Sequence, residues 1–228
     1  MRSGAINLGN PVSSSPLNRG LVGWWLALPQ RMGGLRLMDL CQPGNHGTLT
    51  ADPTWGSAAG RPGGFGSLGS ASYGNERVEL NSPAVLCNLT DMTLSAWIKL
   101  TAVPTGGQYN YIVGQRNTTD VIAMICSGDV SGKMHGTMNY TTTDASSTSA
   151  FIPSANVWYH VALTYAESGD KKIYLYWNGV DPGYTGSQTA AVGSFVSQHA
   201  TEGWALANKV GGARGLYGRY DDFQIRNR

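Results

Sequence analysis

The chain has 228 residues, of which 41% are hydrophobic and only 13% charged, with a formal net charge of +2. That apolar share supports one real core and excludes wholesale disorder, while the charge balance leaves no basic surface able to neutralise many phosphates. With 31 glycines, 11 tyrosines and 7 tryptophans, the composition suits short strands and tight turns rather than helices.

No stretch reaches about 18 apolar residues, so no membrane span is expected. The apolar opening from Gly20 to Pro29 holds Trp24-Trp25 and no small-residue cleavage site, so it reads as a first strand and not a Sec signal. Cys41, Cys87 and Cys126 cannot all pair within one chain and follow no metal pattern. They read as buried free thiols, which fits folding in a reducing cytosol.

Along the chain, residues 1–19 carry Gly, Pro and a Ser13-Ser14-Ser15 run without any period. They read as an extended arm that a neighbouring subunit would pin. Residues 56–75 hold seven glycines and predict a long excursion with one short strand. Asp91 to Leu100 alternates, with Met92, Leu94, Ala96, Ile98 and Leu100 on one face and Thr93, Ser95, Trp97 and Lys99 on the other. The Ser/Thr-rich residues 140–150 predict an edge strand plus loop.

Val157 to Tyr165 alternates as well, placing Val157, Tyr159, Val161, Leu163 and Tyr165 together. Ile173 to Trp177 runs into Asn178-Gly179, a strong hairpin signal because both turn positions favour positive φ. Asp181-Pro182-Gly183 adds a second turn. In the last strand, Tyr220 to Arg226, strict alternation sets Asp221 beside Phe223 and Ile225, pointing inward. The pattern as a whole predicts an all-β antiparallel sandwich.

Six segments, in order, then resemble the laminin-G-like (LamG), concanavalin A-like jelly-roll family in its bacterial and phage forms. They are Gly20-Leu21-Val22-Gly23-Trp24-Trp25, Asn45-His46-Gly47-Thr48-Leu49-Thr50, and Met92 to Lys99 (MTLSAWIK). Trp158 to Tyr165 (WYHVALTY), Ile173 to Gly179 (IYLYWNG) and Gly218 to Arg228 (GRYDDFQIRNR) complete the set. The resemblance implies residues 20–228 as one domain of two antiparallel sheets, roughly six or seven strands each. It departs where the family often has acidic residues: here stand Trp25-Leu26-Ala27-Leu28 and Ser72-Tyr73-Gly74-Asn75-Glu76.

Catalysis finds no support in the residue pattern. Glycoside cleavage commonly needs two carboxylates about 5–9.5 Å apart. The four glutamates, Glu76, Glu79, Glu167 and Glu202, form no E-x-D-x-x-E pattern, and Glu167 lies in a turn as a solvated charge. There is no G-x-S-x-G, and His46, His135, His160 and His199 are scattered.

Binding candidates remain. A buried Asp221 must be paired, hydrogen-bonded or metal-bound. It would either accept backbone N–H bonds and pin a loop such as Asn45-His46-Gly47, or ligate calcium together with Asn45. Trp97, Tyr174 and Tyr176 lie opposite the core stripe, where sugars can stack on rings. For any single one of them, packing under a crossing loop is the commoner outcome. His46 reads first as part of its turn and second as a ligand contact at the loop rim. Trp24, Trp25, Trp158 and Trp177 read as framework.

The expectation is a non-enzymatic structural protein of a virion surface, a capsid decoration or similar. Residues 1–19 would attach it to neighbouring subunits, and its loops would touch host glycans. The alternative is a carbohydrate-binding lectin module of a bacterial extracellular protein, and a glycoside hydrolase comes last. Nucleic acid and membrane insertion are not expected.

Overall fold

The computed structural model describes residues 19–26, 36–41, 45–51, 54–55, 65–67, 74–80, 86, 89–116, 120–196, 203–209, 212 and 214–227. Among these, fifteen strands occur. In chain order they are β1 (Leu21–Trp25), β2 (Arg36–Leu37), β3 (Gly47–Thr50), β4 (Thr54–Trp55), β5 (Phe65–Ser67), β6 (Arg77–Leu80), β7 (Asp91–Leu100) and β8 (Tyr109–Arg116). Then follow β9 (Asp120–Ser127), β10 (Lys133–Met138), β11 (Ala145–Thr148), β12 (Trp158–Ala166), β13 (Ile173–Trp177), β14 (Trp204–Leu206) and β15 (Gly218–Asn227). A 3-10 turn, Gly128–Val130, joins β9 to β10. The short strand expected within 56–75 is β5; residues 1–18 of the arm and Cys87 lie outside the described residues.

The strands form two antiparallel sheets. One has seven strands in the order β13-β12-β7-β15-β5-β4, with β1 also on β15; the other has eight, β11-β10-β9-β8-β14-β6-β3-β2. The long β15 uses one edge twice, pairing β5 at Gly218–Tyr220 and β1 further on, through Phe223 to Arg226. This is the concanavalin A-like sandwich, with one strand more in the second sheet than the upper count expected.

The core lies between the sheets. Met92, Leu94, Ala96, Ile98 and Leu100 are all fully buried, as β7's alternation requires. On β12 the same holds from Tyr159 to Tyr165, whereas Val157 precedes the strand and is 44% exposed. From the eight-stranded sheet, Ile112, Ile122, Met124, Met134, Met138 and Trp204 meet them. Burying this many apolar side chains, each contributing roughly 1.5–3 kcal/mol, is the main drive for the sandwich.

Two local features depart from simple alternation or complete it. On β15 the register slips between Asp221 and Gln224, at Asp222 with φ 53°. The extra residue changes the parity of the strand. Asp221 therefore stands across from Trp97 on the outer face, and not with Phe223 and Ile225; it is nonetheless only 2% exposed. At Asn178-Gly179 both φ values are positive (51° and 78°), and Trp177 and Val180 exchange backbone hydrogen bonds across the turn. Residues 180–196 then run beside β11 and its flanks, through bridges from Tyr184, Thr189, Val192 and Phe195 to Ser149, Ser146, Thr143 and Tyr140. The Tyr184 hydroxyl accepts the Leu175 N–H and Gln188 Nε2 donates to the Ile173 carbonyl, so this segment seals the edges of both sheets.

Candidate functional site

The expected binding residues fall into two places. Asn45, buried, and His46, half-buried, lead into β3 beside β1. The Asp39 N–H donates to His46 Nδ1 at 3.1 Å, and burial, with Arg36 nearby and against the pull of Asp39, lowers the imidazole pKa. The ring is thus a neutral acceptor built into the turn. The Asn45 carbonyl accepts the Trp25 indole N–H at 2.9 Å. Asp39 carries out the loop pinning considered for Asp221: its Oδ1 accepts the N–H groups of Trp24 (3.0 Å) and Cys41 (2.8 Å). Asp221 Oδ1 accepts the Asp222 N–H at 2.8 Å, inside the bulge. Among the described residues no three His, Cys, Asp or Glu side chains gather where one ion would reach them.

Trp97, Tyr174 and Tyr176 share the outer face of the seven-stranded sheet but occupy different rows. Trp97 lies opposite His160, their rings 5.5 Å apart edge to face. Tyr176 stands opposite Ala162 and Tyr174 opposite Thr164, so β12 separates both from Trp97 by two strand spacings, about 9.6 Å. The Tyr174 hydroxyl donates to Asp170 at 2.5 Å, and its ring abuts Tyr184. These rings border a face without a described hollow between them.

A hollow does occur on the outer face of the other sheet. It measures about 320 Å³ and is built on β8, β9 and β10, with Asp129 and Val130 of the 3-10 turn and the loop residue Arg214. Alternation supplies its floor: Ala123 and Ile125 point outward from β9, between the inward Ile122, Met124 and Cys126. Tyr111 keeps the outward parity of Tyr109, and the bulge after it brings Gly114 to the same face, where it leaves room for the ring, since a Cβ there would lie 3.1 Å from it. Tyr111 (2% exposed), Ala123 (1%) and Ile125 (7%) form an apolar cluster of their own, separate from the main core.

The rim carries the polar groups. The Tyr109 hydroxyl donates to Asp129 Oδ2, and the Gly107 N–H donates to Asp129 Oδ1 at 2.8 Å. These two bonds, with Arg214 adding to them, hold the Asp129 carboxyl below its usual pKa. The Arg214 guanidinium lies 4.3 Å over the Tyr109 ring, a cation–π contact. On β10, His135 shares a hydrogen bond of 3.0 Å with Thr148, and burial lowers its pKa, keeping the ring neutral at pH 7.

The loop that presents Arg214 is fixed by the buried Asn208. Its amide donates to the carbonyls of Gly74 and Glu76, and its Oδ1 accepts the N–H groups of Lys209 (2.8 Å) and Arg214 (3.1 Å). The Arg214 carbonyl in turn accepts the Tyr111 N–H, and the Tyr217 N–H reaches Asn110 Oδ1. The cation is preorganised by its own main chain. The hollow therefore offers an apolar floor, a planar cation, hydroxyls and an imidazole. Asp129 is the one carboxylate among its described lining residues.

The sequence reading reached none of these lining residues as ligand contacts. Their signal is present but faint: Tyr109 and Tyr111 alternate, yet Arg214 joins them only through a loop over 100 residues away.

A laminin G-type family described as the concanavalin A-like lectin/glucanases superfamily matches residues 72–228, which include the whole hollow. The chain belongs to this superfamily. No curated protein sequence matches this concanavalin A-like chain. Among solved structures, the Trypanosoma rangeli sialidase in complex with sialic acid shares the fold with a TM-score of 0.58 and 14% identity, over 92% of this chain and 31% of the sialidase. The botulinum neurotoxin serotype D ligand binding domain in complex with N-acetylneuraminic acid is similar at a TM-score of 0.64 and 14% identity, over 92% of this chain and 48% of that one. The lectin-like chain thus spans under a third of the sialidase and about half of the toxin fragment.

Proposed function

We propose that this protein is a non-enzymatic carbohydrate-binding module whose ligand seats in the hollow over β8, β9 and β10. The observation that carries the reading is the convergence there of Arg214, Tyr109, Asp129 and His135 around an apolar floor. Sugar sites combine such apolar walls with a few placed polar groups. Two neighbours of the same fold are complexes with sialic acid, which supports the ligand class. A lone lining carboxylate supports binding without two-carboxylate hydrolysis.

The test is a glycan array on the purified chain, run with calcium and again with EGTA. Tyr109→Ala should lower binding at least tenfold while Trp97→Ala and Tyr176→Ala leave it intact, each variant being checked by its melting curve. The reverse pattern moves the site to the outer face of the seven-stranded sheet, and silence from the wild type removes the reading. Loss of signal in EGTA would make Asp221 and Asn45 the residues to substitute next.

A further inference from the structure

Resting on the reading above, we infer that the hollow recognises a sugar carboxylate, held by the forked N–H groups of Arg214. Little of the ring surface that would serve a neutral sugar is left open. Arg214 covers one face of Tyr109, and Tyr111 is buried in the floor.

The charge on Arg214 is available to such a group. Among the described residues its guanidinium has the Tyr109 ring as its contact and no ion pair within 4 Å. The nearby Asp129 is committed elsewhere, one oxygen to the Tyr109 hydroxyl and the other to the Gly107 N–H. That arrangement anchors the Tyr109 ring under the cation without consuming the cation's donors. A planar guanidinium matches a planar carboxylate through two parallel hydrogen bonds, a geometry that an ammonium cannot reproduce. His135 and Thr137 face the same space from β10, with neutral donors and acceptors for sugar hydroxyls.

The experiment compares 3′-sialyllactose, a galacturonic acid trimer, sulfated lactose and plain lactose by calorimetry on the full chain. At least one carboxylated sugar should bind tenfold or more tightly than lactose and than sulfated lactose. Arg214→Gln should abolish that preference, and Arg214→Lys should restore only part of it. The Arg214 loop is held through main-chain atoms, so both variants should melt with the wild type.

If lactose binds as well as the acids, the inference is overturned while the carbohydrate reading stands. Equal binding of sulfated lactose overturns the preference for carboxylate, as does an acid preference that survives Arg214→Gln. If no sugar binds here or on the array, the reading itself fails and this inference with it.

Discussion

Gly136 tests how the two sheets are fitted together beneath the hollow. It sits mid-strand on β10, facing the core between the outward His135 and Thr137. A Cβ placed there would lie 2.8 Å from Leu163 Cδ1, 3.0 Å from Ile173 Cγ2 and 3.2 Å from Leu175 Cδ2, all on the opposite sheet. Gly136→Ala would gain about 0.4–1 kcal/mol by restricting the unfolded chain. Overpacking against three side chains costs about 1–3 kcal/mol, so the net loss should be roughly 1–2 kcal/mol. For a domain of this size that lowers Tm by about 2–8 °C. Urea unfolding gives the free energy, and Gly136→Ala combined with Leu163→Val, which trims the nearest contact, should cost at least about 0.5 kcal/mol less than the sum of the two single changes. An alanine variant as stable as wild type, or strict additivity, would refute the packing argument.

Two further predictions concern carboxylates that hold hydrogen-bond networks. Glu167 accepts hydrogen bonds from Tyr140, from Tyr165 (2.9 Å) and from Lys171 Nζ (2.6 Å). Burial opposes its ionisation, yet these donors together bring its pKa below the ordinary 4.5. A depressed carboxyl contributes stability that is full above that value and drains away as pH falls through the folded pKa. Tyr140→Phe should therefore cost about 1–2 kcal/mol in urea unfolding at pH 7 and distinctly less at pH 3, and an equal cost at both would sink the idea. At Asp39, 5% exposed, alanine would strand the N–H groups of Trp24 and Cys41, for a loss of about 2–4 kcal/mol. Asn at that position keeps the acceptor and should lose clearly less; thermal melts that rank the two variants together would contradict the assignment.

The fold was legible because period-2 patterns survive wherever a strand has one face in the core. β7 and β12 display this, with every residue of the predicted inward stripes inside those strands buried. The Asn178-Gly179 turn was legible for a different reason: positive φ at two successive positions restricts the residues that fit. β15 failed at one point, since a bulge leaves no mark in an alternation that appears unbroken. Glu167 failed through distance, because Tyr140 reaches it from 27 residues away and a turn charge became the hub of a network. Of the arm of residues 1–19, on which a virion attachment rests, residues 1–18 lie outside the described residues.

The candidate site shows why a sandwich conceals its binding face from a sequence reader. Both sheets have an outer surface, and alternation assigns residues to it without saying which surface is hollow. Trp97, Tyr174 and Tyr176 were visible as outward aromatics, but the register distributes them across rows of the seven-stranded sheet. The other sheet gains its hollow from features that are local in space and remote in sequence. Small and branched residues on β9 lower the floor, the 3-10 turn raises Asp129 at one side, and the Asn208-clamped loop brings Arg214 over Tyr109. The bulge after Tyr111, like the one at Asp222, re-aims the residues beyond it: Val113 turns into the core where strict alternation from Tyr111 would place it outward. Bulges concentrate where a strand must present a side chain off its pleat. The hollow thus depends on one bulge and one clamped loop, and substitutions at Asn208 should disturb ligand affinity through Arg214 even though Asn208 itself is buried beneath the site.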